Sequence, residues 1–273
     1  MRVVIKTKSE DVSRMAAQII ADTIRKKPDC VLGLATGSSP LATYSELVRM
    51  HREEGLDFSR VTTFNLDEYV GLHGTDVQSY RYFMQTNFFD HVNLLPQNTN
   101  VPDGRALNFE QYCEAYEQRI VDVGGIDLQL LGIGADGHIA FNEPGSSLGS
   151  RTRLKTLADE TVRDNARFFE SIEHVPRLAI TMGIGTILES RRCLMLAMGD
   201  GKSEAIWHTI EGPITAQVTA SALQLHRDVT VLLDEGAACL LKRREYYDNV
   251  ERWQQLLETG QYDLLGVTRN EPN

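Results

Sequence analysis

Residues 131–145 read LGIGADGHIAFNEPG and carry three groups able to move protons, Asp136, His138 and Glu143. Gly134 and Gly137 flank the first acid, so the backbone there can turn tightly and come close to a ligand. A carboxylate, an imidazole and a second carboxylate on a glycine-hinged loop point to general acid–base chemistry. Another carboxylate, Asp67, lies in LDEYVG beside Leu66 and Tyr69 rather than in a polar run. Apolar walls raise a carboxyl's pKa toward the range of a general base, although adjacent acids after a strand also serve as caps or solvated loop charges.

Two segments suit an anion. Thr36-Gly37-Ser38-Ser39-Pro40 follows the apolar run CVLGLA, and Pro40 fits the first position of a helix. Free backbone N–H groups and the helix dipole favour a phosphate there, while a plain strand-to-helix turn with a serine cap fits the residues equally well. With no lysine in a G-x-x-x-x-G-K-[ST] frame, the loop is not a nucleoside-triphosphate P-loop, and a monophosphate is the better candidate. Gly199-Asp200-Gly201-Lys202-Ser203 repeats the strand-to-helix placement with a lysine. A basic cluster from Arg151 through Arg153, Lys155 and Arg163 to Arg167 is either a solvated face or an anion site.

Other uses of the 131–145 loop fit less well. Residues 132–137 satisfy G-x-G-x-x-G after a strand, but Asp136 puts negative charge where a pyrophosphate would lie. Pro144 and Gly145 also interrupt the helix that a dinucleotide site requires. A metal on Asp136, His138 and Glu143 lacks the second His or Cys expected for zinc and the further oxygens expected for magnesium. Proton transfer without metal or cofactor needs fewer assumptions.

These residues must be held by a scaffold, and the apolar patterning supplies one. Residues 1–5, 30–35, 61–65, 126–133, 179–182, 193–198 and 229–233 read as strands, and 151–156 alternates in a strand-like way. Helices are predicted from a Ser9 cap through Ile24, from Pro40 through Val48, over 78–89, from an Asn108 cap to Val123, over 160–169 and over 237–257. Residues 94–105 read as a loop. Strands alternating with helices predict a mostly parallel sheet covered on both faces, which binds ligands outside its strands' carboxyl ends. The Gly37, Asp67, Asp136 and Lys202 loops all fall on that rim.

The 273 residues carry a net charge of −10, which argues against nucleic acid or an anionic membrane as partner and for a small substrate. No apolar stretch approaches the roughly 20 residues of a membrane span, and no signal peptide follows Met1, so a cytoplasmic location is expected. Cys30, Cys113, Cys193 and Cys239 have apolar neighbours and no C-x-x-C pair, as expected of buried reduced thiols. No linker divides the chain, so 1–273 reads as a single domain.

The segments LGIGADGHIAFNEPGSSLGSRTRLKTL, VTTFNLDEYVGL and LGLATGSSP closely resemble the glucosamine-6-phosphate deaminase family, up to about Leu233. The resemblance implies a three-layer α/β/α sandwich, a modified Rossmann-like fold that binds no dinucleotide. It also implies conversion of glucosamine 6-phosphate and water to fructose 6-phosphate and ammonia without cofactor or metal. In that reading Asp67 moves the proton between C2 and C1, and His138, assisted by Asp136 and Glu143, opens the sugar ring. Gly37, Ser38, Ser39, Arg167 and Lys202 match the family's phosphate-binding positions. Ser146, Arg153, Lys155 and Thr156 match an effector site for N-acetylglucosamine 6-phosphate, which implies an allosteric homo-oligomer, up to a hexamer. The related 6-phosphogluconolactonases share a D-G-H loop but lack the FNEP continuation and the LDEYVG acid. A non-catalytic sugar-phosphate sensor on the same fold has no need of all four proton-moving residues.

Overall fold

The computed structural model describes residues 1–261; the last part of the expected domain, 262–273, lies outside the described residues. The chain runs β1 (Arg2–Lys6), α1 (Ser9–Lys26), β2 (Val31–Leu34), α2 (Leu41–Glu54), β3 (Thr62–Asn65), β4 (Asp67–Tyr69), α3 (Tyr80–Asn87), β5 (Thr99–Asn100) and α4 (Phe109–Asp122). It continues through β6 (Leu128–Leu131), β7 (Arg153–Thr156), α5 (Asp159–Asn165), β8 (Leu178–Thr181), α6 (Ile184–Leu188) and β9 (Cys193–Ala197). The described part closes with α7 (Ser203–Ile210), β10 (Val229–Asp234), α8 (Glu235–Ala238) and α9 (Arg244–Glu258).

Seven strands form one sheet in the order β1-β10-β9-β6-β2-β3-β5, every pair parallel. Strands β2, β6, β9 and β10 are buried at every position, as expected of a parallel sheet covered on both faces. Helix α1 supplies part of that cover through Val12, Ala16, Ile20 and Ile24, which recur at helical spacing and are buried. Direction reverses at the centre: from β2 the chain goes outward to β3 and β5, then returns to lay β6 on the other side of β2. Such a switch point opens a crevice at the carboxyl ends of the strands.

The sequence reading held no second sheet, yet β4, β8 and β7 form one, antiparallel, in the order β4-β8-β7. Residues 67–69, expected as loop, are thus a strand whose Asp67 lies opposite Thr181, itself opposite Arg153. Tyr69, Phe141, Leu157, Val162, Val175 and Ala179 form a second, smaller core, with Tyr80 and Phe169 packed against it.

Other local expectations change for tertiary reasons. Ser9 does not cap α1: its hydroxyl donates to Asp234 Oδ2 at 2.8 Å, and Lys8 holds the cap position. Pro40 sits at the cap itself, one residue before α2. Asn108 caps α4 as expected, accepting from Gln111 N. The 78–89 helix shortens to α3, started by Ser79, whose hydroxyl accepts from Tyr82 N. Residues 99–100 inside the predicted loop pair with β3 as the edge strand β5. The C-terminal helix is broken between α8 and α9, where Glu211 accepts the N–H groups of Lys242 and Arg243. The break leaves Cys239 exposed, contrary to expectation, whereas Cys30, Cys113 and Cys193 are buried. Among the described residues no helix is long and apolar enough to cross a membrane.

Candidate active site

Four neighbouring strands deliver the candidate residues. In sheet order, β9 leads to Lys202, β6 to Asp136 and His138, β2 to Gly37-Ser38-Ser39, and β3 directly to Asp67. The 132–146 loop is anchored at several points. Gly134 N donates to His138 O at 2.8 Å, closing a tight turn, and a Cβ on Gly134 would stand 2.5 Å from the imidazole Cε1. Only glycine leaves room for the ring to lie over the backbone. Beyond it, Asn142 Nδ2 donates to Met182 O at 2.8 Å, and Asn142 O accepts from the Thr219 hydroxyl at 2.8 Å. Phe141 N donates to Thr181 Oγ1 at 3.0 Å. Thr181 is the sheet partner of Asp67, so one residue fixes both the base strand and the imidazole loop.

His138 Nδ1 lies 2.7 Å from Asp136 Oδ1 and 3.7 Å from Glu143 Oε2. Nδ1 and Glu143 Oε2 are both buried and meet no other polar partner. Burial pushes the Asp136 carboxyl up, but His138 beside it outweighs burial and holds it below the ordinary carboxylate range. Asp136 is the exposed member and Glu143 the buried one, so a charged and a sheltered carboxyl face one imidazole. Glu143 Oε1 accepts Ala158 N at 3.1 Å, tying this group to the segment that carries Arg167. One ligand atom from each of Asp136, His138 and Glu143 lies within 4.8 Å of the others, so a cation could be held there. A lone imidazole with two carboxylates remains an incomplete set for zinc or magnesium.

Asp67 has the opposite character. It is 6% exposed, and burial, with the neighbouring Glu68 charge, pushes its carboxyl up to about 8. The apolar walls expected from Leu66 and Tyr69 are present, both buried. An acid tuned to that range matches the requirement for reversible proton transfer near neutrality.

At the anion end, Gly37 has φ +93°, a left-handed conformation natural to glycine, with Ser38 exposed and Ser39 half-buried beside it. Lys202 is half-buried; burial pushes its ammonium below the ordinary lysine range, Asp164 and Asp136 oppose this, and Arg167 reinforces it. Arg167 and Lys202 therefore lie within each other's field. The wider basic cluster does not assemble: Arg151 is paired with Glu117 and Glu189, and Arg163 with Glu160.

Of the four expected effector residues, Arg153 and Lys155 alternate with Leu154 and Thr156 along β7, so Thr156 faces away from the two cations. Arg153 Nη1 donates to Asn142 Oδ1 at 2.9 Å, a direct link to the imidazole loop. Ser146 is buried, and its hydroxyl has no hydrogen-bond partner.

The glucosamine-6-phosphate isomerase/6-phosphogluconolactonase family model matches residues 6–232. The chain belongs to this family. Among its members, a glucosamine-6-phosphate deaminase of Clostridium perfringens strain SM101 is 53% identical, over 89% of this chain and 100% of its own length. One from Arthrobacter sp. strain FB24 is 52% identical over 94% and 100%. The solved structure of a monomeric glucosamine-6-phosphate deaminase superposes with a TM-score of 0.87 at 50% identity, covering 88% of this chain and 100% of the other. The 6-phosphogluconolactonase of Leishmania guyanensis, at 21% identity and a TM-score of 0.68 over 86% and 97%, shares the fold. The parallel sheet flanked by helices is this family's architecture.

The sequence does not reveal Thr181 and Asn142 as anchors, nor Glu68 as the acceptor of the Tyr80 and Arg81 N–H groups. Asn142 stands in the FNEP segment and Glu68 in LDEYVG; the partners of Asn142, Met182 and Thr219, lie far along the chain, whereas those of Glu68 are within thirteen residues.

Proposed function

We propose that the protein is an enzyme that converts glucosamine 6-phosphate and water into fructose 6-phosphate and ammonia, a glucosamine-6-phosphate deaminase of amino-sugar catabolism. The observation that carries the reading is the rim itself. A buried base at Asp67, an imidazole beside two carboxyls, a glycine/serine loop and Lys202 stand on four adjacent strand ends, with the Arg167 charge in the field of Lys202.

The chemistry follows from that inventory. Gly37, Ser38, Ser39, Arg167 and Lys202 hold the phosphate, which positions the distant carbons. His138 takes the C1 hydroxyl proton and delivers one to the ring oxygen, breaking the C1–O5 bond and leaving an open-chain aldehyde. Asp136 and Glu143, facing its Nδ1, hold the imidazole in orientation. Asp67 removes the C2 proton, while the carbonyl oxygen gains a proton to give an enolamine. Asp67 then returns its proton to C1, leaving an iminium at C2. Water adds to C2, the C–N bond breaks, and ammonia leaves behind the ketone of fructose 6-phosphate. One carboxyl on one face suffices for both carbon protonations, and the release of ammonia is hydrolytic.

The proposal includes a cytoplasmic location and an activating site for N-acetylglucosamine 6-phosphate at Ser146, Arg153, Lys155 and Thr156, shared between subunits of a homo-oligomer of up to six chains. The Arg153–Asn142 bond supports it by offering a route from that site to the imidazole loop. Incubation with glucosamine 6-phosphate, following ammonia and fructose 6-phosphate together, tests the activity. Hydrolysis of 6-phosphogluconolactone with neither product formed overturns it. Light scattering with and without the effector tests the assembly, and a monomer under both conditions refutes that part.

A further inference from the structure

The described residues bury a second carboxylate directly beside Asp67. Glu68 is 2% exposed, and no arginine or lysine forms an ion pair with it among the described residues. The nearby Arg81 guanidinium donates instead to Thr99 Oγ1 and Thr99 O, at 3.0 and 3.1 Å. Three backbone N–H groups surround the Glu68 carboxylate. Oε1 accepts from Tyr69 N and Tyr80 N, and Oε2 from Arg81 N, each at 2.9 Å. Tyr80 and Arg81 open α3, so the carboxylate closes that helix from twelve residues upstream, where the dipole favours negative charge. All three partners are donors, and none accepts a proton from Glu68.

This arrangement is costly unless it has a use. Burying a charge without a counter-ion is unfavourable, and placing it next to another acid adds repulsion. A capping role alone is already served by Ser79, whose hydroxyl accepts from Tyr82 N. What Glu68 adds is a fixed charge whose field reaches Asp67, Tyr69 and Arg81, and a clamp joining β4 to α3.

We infer that Glu68 is a positioning residue for proton transfer: the three backbone N–H groups favour its ionised form against its burial, and its charge keeps Asp67 a strong base. The inference rests on the proposed role of Asp67. The groups facing the pair are few. Tyr69 of β4, Tyr80 of α3 and Tyr116 of α4 lie within the field of Asp67, and burial pushes each hydroxyl above its ordinary value, so all three stay neutral near pH 7. On the Glu68 side, a cavity of about 370 Å³ is bounded by Arg81, Arg119, Asp103 and Tyr112. Burial pushes the Glu68 carboxyl above its ordinary range, while the three N–H groups and the field of Arg81 oppose that shift.

With the charge kept on Glu68, Asp67 should protonate first as pH falls, and Glu68 should follow at lower pH. A carboxyl-carbon NMR titration of the labelled wild-type protein reads this order without turnover; Glu68 protonating at or above the pH at which Asp67 does overturns the inference. Glu68→Gln removes the charge and should lower the Asp67 midpoint by about one unit, a tenfold change in ionised fraction at fixed pH. The acid limb of kcat/KM should move with it, and kcat should fall because a weaker base remains. Glu68→Asp keeps the charge while lengthening the N–H contacts, so it should lose thermal stability but leave the limb in place. A Glu68→Gln protein whose Asp67 midpoint equals the wild-type value refutes the inference, leaving Glu68 a structural clamp. If the wild type titrates in the stated order yet makes no ammonia, the functional reading fails while the charge coupling stands.

Discussion

Replacing Asp67 with asparagine should abolish turnover and stabilise the protein, and the stabilisation should depend on pH in a defined direction. Burial and the Glu68 charge take this carboxyl from its ordinary 3.8 to about 8. Between those two values the native state holds a proton that the unfolded chain has released, so native stability falls as pH rises from about 4 to about 8. At about 1.4 kcal/mol per pKa unit, the penalty is about 2 kcal/mol at pH 5 and about 5 kcal/mol at pH 8. Asparagine is neutral throughout and escapes it. The variant's advantage should therefore grow by about 3 kcal/mol between pH 5 and pH 8, or roughly 10 °C in Tm for a chain of this size. Thermal unfolding of both proteins at half-unit pH steps reads the effect, and the remaining titrating groups, common to both, cancel in the difference. Turnover should fall by at least about 10²- to 10⁴-fold, the usual contribution of a positioned base. A Tm difference that stays level across the range would show that Asp67 is not held protonated by burial, and the argument for its basicity would fail.

Other perturbations probe separate parts of the rim. Gly134→Ala puts a methyl 2.5 Å from the His138 ring, so turnover should drop and unfolding should become easier by about 1–3 kcal/mol, read from denaturant melts. Lys202→Ala should lower kcat/KM for glucosamine 6-phosphate by roughly 10- to 150-fold, the worth of a charged hydrogen bond, and leave unphosphorylated glucosamine as poor a substrate as before. An equal loss for both sugars would remove Lys202 from the phosphate site. Arg153→Ala cuts the bond to Asn142, so velocity curves should lose their response to N-acetylglucosamine 6-phosphate; a retained response places the effector elsewhere.

What the sequence could show depended on how local the cause was. The buried strands β2, β6, β9 and β10 are apolar runs whose burial on both faces leaves a signal within a few residues. The 132–146 loop was equally visible, because its glycines and proton-moving groups are contiguous. Strand β4 was not, since three residues with two acids have no period, and their conformation comes from pairing with β8, more than a hundred residues later. Ser9 has the composition of a cap, yet a tertiary partner, Asp234, takes its hydroxyl. The basic cluster dissolved because Glu117 and Glu189 claim Arg151 from elsewhere in the fold.

The return of β6 to the inner side of β2 also shapes the protein's synthesis. A ribosome that has released the first 120 or so residues has made Asp67 and the glycine/serine loop, but neither the imidazole nor the strand that covers β2. Until β6 emerges, β2 presents a bare, wholly apolar edge. Such an edge is a template for pairing with another chain. The crossover that brings the base and the imidazole to the same rim thus leaves the half-made polypeptide with an edge open to aggregation.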